Sequence, residues 1–80
     1  MQLQNVVNKI KSGKQEYQNA TFFLANYIKV NLSTRAVLAE HITETGELDG
    51  LRVVIDNNLQ DGVATIGMGN GPTFATIKFY

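Results

Sequence analysis

With 80 residues and no cysteine, the chain has room for one small hydrophobic core and no disulfide or thiolate metal site to reinforce it. A hydrophobic share of 44% is typical of a globular chain, and a net charge of zero argues against a strongly basic nucleic-acid-binding domain. The first twenty residues lack a signal-peptide core, and apolar runs such as residues 22–25 span only four positions. We therefore expect one soluble, cytoplasmic domain over residues 1–80.

The charges are divided unevenly along the chain. Five of the seven basic residues precede residue 40, whereas six of the seven acidic residues follow residue 39. If the two halves fold to different sides, the molecule has a positive and a negative end. Such a split is typical of an electrostatic docking surface, but it also arises by chance on a solvated surface, and the sequence leaves both interpretations open.

The N-terminal segment predicts a short amphipathic helix, since apolar residues recur at helical spacing at Leu3, Val6, Val7 and Ile10. Ser12 and Gly13 supply a stop signal, because a glycine just past a helix accepts the left-handed backbone conformation without a steric penalty. Lys9 and Lys11 would then lie in the last turn, where the helix dipole favours positive charge.

Residues 17–29 are ambiguous between helix and strand. As a helix, the segment places on one face Tyr17, Ala20, Leu24, Tyr27 and Ile28. As a strand, it directs to one side Phe22, Leu24, Ile28, Val30 and Leu32, although Asn26 interrupts that series. Aromatic and β-branched residues favour the strand, whereas the alanines and the leucine favour the helix. We predict a helix over residues 17–29.

A clearer helix is predicted farther along, where Ser33 or Thr34 can act as N-cap. One side of this helix carries Val37, Leu38, His41 and Ile42, and Gly46 ends the segment. Beyond Gly46 the apolar residues alternate in the stretches LRVVIDN, GVATIGM and TFATIKFY, which turn residues separate. We therefore predict an α+β domain in which two or three N-terminal helices pack on a C-terminal three-stranded antiparallel meander.

The stretch TIGMGNGPTFATI, residues 65–77, contains three glycines at alternate positions. It matches the phosphate-binding pattern G-x-G-x-x-G only in part, because Pro72 replaces the third glycine and a strand follows in place of the helix whose N-terminus binds anions. A hairpin with a four-residue loop over residues 69–72 explains the stretch better, since Asn70 and Gly71 tolerate positive φ. This loop sets Ile66 opposite Ala75.

That register gives the hairpin one apolar face, which we predict to be the core face: Ala64, Ile66, Met68, Ala75, Ile77 and Phe79. On the other face, Phe74 would lie across from Gly67 and cover its bare backbone. The residues that we predict to bind a partner are also there: Val63, Phe74, Thr76 and Tyr80. Scattered exposed apolar residues are normal, but the last strand is in addition a predicted sheet edge that can pair with another chain.

No residue pattern predicts catalysis, a metal site or a cofactor. The single histidine, His41, has Glu40 beside it and Glu44 three residues later, but the second histidine of metalloprotease motifs is missing. We interpret His41 as a surface histidine paired with a carboxylate. Ser12 and Ser33 fit capping positions, and we expect a protein that is not an enzyme and binds no cofactor.

Residues 24–42 also resemble, in outline, a helix-turn-helix, and a helix before it with strands after it would give the order of a winged-helix domain. Contacts to nucleic acid would then come from Lys9, Lys11, Lys14 and Arg35. Against this interpretation, Lys29 stands at the usual glycine of the turn, and Glu40 and Glu44 on the second helix would repel phosphates.

By exclusion, we interpret the chain as a small non-enzymatic protein-interaction domain that forms a homo-oligomer and acts as an adaptor or inhibitor of another protein. A winged-helix-like DNA-binding protein is the alternative, and a protein that binds a small ligand at a subunit interface is the third possibility. We expect any binding of nucleic acid to be weak and to be lost at moderate salt.

Overall fold

The computed structural model describes residues 3–69 and 74–80, which form two α-helices, a short 3₁₀ turn and five strands. Helix α1 spans Val6–Thr21, and α2 spans Leu32–Leu38 and leads directly into the 3₁₀ turn Ala39–His41. The strands are β1 Tyr27–Val30, β2 Glu47–Leu48, β3 Leu51–Ile55, β4 Val63–Gly67 and β5 Phe74–Lys78.

The five strands form one mixed sheet in the order β2-β3-β1-β4-β5. Strand β1 lies in the centre, parallel to β3 and antiparallel to β4. The pairs β2–β3 and β4–β5 are antiparallel. The α+β class is confirmed, but the predicted three-stranded antiparallel meander is wrong, because β1 separates β3 from β4.

The predicted helix over residues 17–29 is wrong in its second half, where the chain forms β1. Ile28 and Val30 are fully buried in the main hydrophobic cluster, and β-branched side chains suit a central strand that has a neighbour on both sides. Asn26, which interrupts the strand pattern in the sequence, lies just before β1. Its side-chain oxygen accepts the N–H of Gly69 at 2.9 Å, so this residue fixes the start of the strand.

The predicted helix stop at Gly13 is also wrong, since α1 continues through this residue. A Cβ built on Gly13 would lie 2.7 Å from Cδ1 of Ile77 and 3.3 Å from Cδ1 of Ile66. Gly13 therefore lies in close contact with β4 and β5, and its missing side chain permits this approach. The helix ends instead at Thr21. The next residue, Phe22, has a left-handed φ of 64° and donates its N–H to the carbonyl of Gln18 at 2.8 Å.

Helix α2 is capped by Asn31 and not by the predicted Ser33 or Thr34. Oδ1 of Asn31 accepts the Thr34 N–H at 2.8 Å. The predicted extent to Gly46 is too long, because Ile42 forms an antiparallel bridge with Leu48 of β2. Helical structure therefore ends at His41, and the chain turns back toward the sheet.

The hairpin of β4 and β5 has the predicted register, with Ile66 opposite Ala75 and Gly67 opposite Phe74. Its predicted core face is confirmed, since all six residues belong to the main hydrophobic cluster or pack against it. The helices contribute to the same cluster Val6, Ile10, Tyr17 and Leu38. Of the predicted hairpin loop, residues 70–72 lie outside the described residues.

Candidate interaction surface

Strand β5 forms one edge of the sheet, and its backbone pairing determines which polar groups face outward. Phe79, just past the strand, donates its N–H to the carbonyl of Gly62 at 2.8 Å. Two and four residues before Phe79, Ile77 and Ala75 lie opposite Ala64 and Ile66 of β4. Because hydrogen-bonding groups alternate between the two sides of a strand, these alternate residues direct their N–H and C=O groups toward β4.

The intervening residues Phe74, Thr76 and Lys78 therefore point their N–H and C=O groups away from β4, toward the side of β5 on which no strand of the described residues lies. This side is called the free edge. The other edge of the sheet is the two-residue strand β2. Among the described residues, β5 is thus the longer edge, and such a row of outward polar groups is a template for pairing with another strand.

The structure brings three of the four predicted partner-binding residues to the open side of the molecule at or beside β5. Phe74 is 59% exposed and Tyr80 is 64% exposed, and Thr76 between them is exposed as well. Val63 is different, because it is only 9% exposed and lies outside the main hydrophobic cluster. Val63 is therefore much less exposed than Phe74 and Tyr80.

Gly67 is covered by Tyr27, and the prediction that Phe74 covers it is wrong. A Cβ built on Gly67 would lie 2.9 Å from Cζ of Tyr27. Tyr27 is consequently buried although it lies outside the main hydrophobic cluster. Nζ of Lys29 is 5.4 Å from the centre of the Tyr27 ring, a distance at which a cation is attracted to the ring face. Tyr27 replaces Phe74 in this contact, and Phe74 remains exposed.

An open groove of about 420 Å³ runs between α1 and β5. Its walls are mostly polar on the helix side and include Asn8, Lys9, Ser12, Glu16, Thr76, Ile77 and Lys78. Lys9 and Glu16 carry opposite charges, and neither takes part in the ion pairs formed within residues 3–69 and 74–80. Lys78 is a second positive charge of the groove outside these ion pairs, so Lys9 and Glu16 are the two charged residues that α1 contributes to the groove.

The segment of residues 22–24 is exposed although it is entirely apolar. Phe22 is 89% exposed, Phe23 is 55% exposed and Leu24 is 70% exposed. Thr21, which precedes this segment, lines a depression together with Phe74, so the segment adjoins the beginning of β5. From the sequence these residues could be identified only as an apolar run. Their exposure could not be predicted, because it depends on the turn that ends α1.

Among the described residues, the histidine and the buried threonine each have a partner close by. Nε2 of His41 lies 3.6 Å from Oε1 of Glu40, which agrees with the interpretation of a surface histidine next to a carboxylate. Thr34 is buried, and its hydroxyl oxygen accepts the N–H of Gly62 at 2.9 Å. Within residues 3–69 and 74–80, no three histidine, aspartate or glutamate side chains are grouped so that they could hold a metal ion.

Of the residues predicted to contact nucleic acid, Lys11 and Lys14 line one depression, and Lys9 and Arg35 are not part of it. Lys9 lines the groove beside β5, Lys11 is exposed, and Arg35 is half-buried on α2. Nζ of Lys14 donates to the carbonyl of Asp49 at 2.8 Å and forms an ion pair with its carboxylate at 3.5 Å. The helix-turn-helix interpretation is wrong, since β1 occupies the place that its first helix would need.

Comparison with protein-family models, with curated proteins and with solved structures found no match. In the part of the chain that the structure describes, no helix is long and apolar enough to cross a membrane. The features that remain for a functional assignment are therefore the free β5 edge, the groove beside it and the exposed apolar residues nearby.

Proposed function

We propose that the chain is a small non-enzymatic protein-interaction domain that associates with itself and acts as an adaptor or inhibitor of another protein. The observation that supports this most directly is the free edge of β5, where Phe74, Thr76 and Lys78 direct backbone N–H and C=O groups outward. A strand added to such an edge satisfies these groups, and this is a common mode of protein recognition.

The side chains beside the edge favour a protein partner over a small molecule. Phe74 and Tyr80 are more than half exposed, and burying an aromatic side chain of this kind contributes about 1.5–3 kcal/mol to association. A domain of this size also has a small core of its own. Binding of a second chain to the folded state therefore raises its stability as well.

The exposed segment of residues 22–24 supplies the second surface that an adaptor or inhibitor requires. Phe22 combines a left-handed backbone conformation with 89% exposure. Neither feature stabilises the isolated fold, because the conformation carries a steric cost for any residue with a Cβ and an exposed ring buries little surface. Contact with another protein would account for a phenylalanine at this position.

Light scattering over a range of protein concentrations tests the proposed self-association. We expect the mass to rise above the 8.8 kDa of one chain as the concentration increases. Phe74→Ser should weaken association, whereas Leu32→Ser should not, because Leu32 is equally exposed at 60% but lies on α2. A mass of one chain at every concentration would contradict the proposal.

A further inference from the structure

We infer that the strand that pairs with β5 is β5 of a second copy of this chain, antiparallel to the first about a two-fold axis at Thr76. This inference rests on the proposed self-association and specifies which strands pair and in which register. The two copies would form one continuous sheet, joined at their longer free edges. Such an interface is isologous, so each contact occurs twice.

The outward backbone groups select this register. Each copy directs toward the edge the N–H and C=O groups of Phe74, Thr76 and Lys78. When Thr76 faces Thr76 of the second copy, Phe74 faces Lys78 of the second copy, and every one of these groups has a hydrogen-bond partner. A shift of the register by two residues in either direction leaves one of the three residues in each copy without a partner within β5 of the other copy.

The side chains on the face away from the helices agree with this register. Thr76 lies opposite its own counterpart, and a threonine pair is favourable across neighbouring strands. Lys78 lies opposite Phe74 of the second copy, where its alkyl chain can cover the exposed ring and its charge can approach the ring face. Lys78 does not face Lys78, so the axis avoids a like-charge contact.

The position of α1 is also compatible with this two-fold axis. Gly13 lies against the side chains of Ile66 on β4 and Ile77 on β5, which places α1 above the gap between these strands and not above the free edge. Neighbouring strands are about 4.8 Å apart, so α1 would lie about 10 Å from α1 of the second copy. Packed helices are separated by about 8–10 Å. In the dimer, the two α1 helices would therefore pack against each other above the two β5 strands, at the groove between α1 and β5.

The two charged residues that α1 contributes to the groove are complementary to each other across this axis. Lys9 and Glu16 both line the groove and lie on opposite sides of Gly13, four residues before it and three residues after it; Gly13 is in close contact with Ile77 of β5. The axis reverses the direction of the second helix. Lys9 of each copy therefore faces Glu16 of the other, and two ion pairs form.

Sedimentation equilibrium of charge variants tests this pairing. We expect Lys9→Glu and Glu16→Lys each to raise the dimer dissociation constant about tenfold, because two attractions become two repulsions. An equimolar mixture of the two variants should form a heterodimer with nearly the wild-type constant, since opposite charges face each other again. Lys11→Glu changes the net charge by the same amount as Lys9→Glu but lies outside this groove, and it should leave the constant unchanged.

A second pair of variants tests the strand contact. Thr76→Pro removes an N–H that points away from β4, and proline is tolerated on the free side of an edge strand. We expect it to weaken dimerisation at least tenfold, whereas Thr76→Ala keeps the N–H and should dimerise within about threefold of the wild type. Circular dichroism of each variant confirms that the fold is intact.

The outcomes separate this inference from the proposed function. A heterodimer formed by the charge variants and a monomeric Thr76→Pro protein would support the β5 pairing. If the wild type associates while the charge variants and Thr76→Pro associate equally well, the chain self-associates through another surface and the inference is overturned. A wild type that is monomeric at all concentrations overturns both the inference and the proposed self-association.

Discussion

The ring of Tyr27 lies directly over the backbone of Gly67. A Cβ built on Gly67 would be 2.5 Å from the Tyr27 hydroxyl oxygen and 3.2 Å from Cε2, and these residues are paired between β1 and β4. Tyr27 is 7% exposed as a result. Phe74, which pairs with Gly67 from the other side, is left free at the edge of the sheet. This contact therefore leaves Phe74, and not Tyr27, exposed at the edge of the sheet.

Replacing Gly67 by Ala should lower the free energy of unfolding by about 1–3 kcal/mol, because the added methyl group overlaps the Tyr27 ring. In a Tyr27→Ala background the same replacement should cost much less, whereas in a Phe74→Ala background it should cost as much as in the wild type. Denaturant unfolding of the two double-mutant cycles measures these couplings. If the cost of Gly67→Ala fell in the Phe74→Ala background and stayed the same in the Tyr27→Ala background, the result would contradict the contact between Gly67 and Tyr27.

Gly13→Ala should destabilise the fold although alanine favours a helix by about 1 kcal/mol over glycine. The new methyl group would lie 2.7 Å from Cδ1 and 2.9 Å from Cγ1 of Ile77, and we expect overpacking to cost about 1–3 kcal/mol. Ile77→Val removes Cδ1 and should recover part of this loss in the double variant. Ser12→Ala, at an exposed position of the same helix, is the control and should be neutral or slightly stabilising. A melting temperature raised by Gly13→Ala would contradict the close approach of α1.

Thr34→Val should lower the free energy of unfolding by about 1–3 kcal/mol, because it preserves the shape of the side chain but leaves the N–H of Gly62 without its acceptor. Thr34→Ser keeps the hydroxyl group and loses one methyl group, so it should retain the hydrogen bond and cost only about 1 kcal/mol. Thermal unfolding of both variants compares the two effects. A valine variant as stable as the wild type would show that Thr34 acts only through packing.

Phe22→Gly should raise the free energy of unfolding by about 0.5–1 kcal/mol, since glycine adopts the left-handed conformation without the cost that a side chain adds. Little packing is lost, because the ring is 89% exposed. Phe23→Gly is the matched control: Phe23 does not have a positive φ, and no such gain is expected there. Thermal unfolding of the two variants and the wild type measures the difference. A destabilised Phe22→Gly protein would contradict this prediction and indicate that the Phe22 ring packs against other residues of the same chain.

The hairpin could be predicted from the sequence because strand alternation is a local property. The apolar residues of β4 and β5 recur at every second position, so one shift of register would move Ile66 and Ile77 out of the core. The parallel pair of β1 and β3 has no such local signal. Its four-residue strand β1 follows a helix and precedes another one, and only the burial of Ile28 and Val30 between neighbouring strands favours an extended chain over a longer helix.

The exposure of Thr76 and Phe74 could be predicted for the same reason. Both positions follow from the alternation of β5, and both are exposed. The burial of Val63 and the cover over Gly67 depend on neighbours that are distant in sequence, and so does the approach of Gly13 to Ile77. A glycine next to a serine looks the same in the sequence whether it ends a helix or permits a close contact within one. Tertiary packing therefore determines that α1 continues through Gly13.

The central claim, that β5 is a pairing edge, is tested most directly by hydrogen–deuterium exchange of single amides in β5, followed by NMR spectroscopy at several protein concentrations. Ala75 and Ile77 bond to β4 within one chain, so their exchange should be slow at every concentration. We predict that the amides of Thr76 and Lys78 exchange fast in dilute solution and become protected as the concentration rises, because pairing with a second copy occupies them. Fast exchange of both amides at concentrations where the measured mass exceeds one chain would contradict the claim.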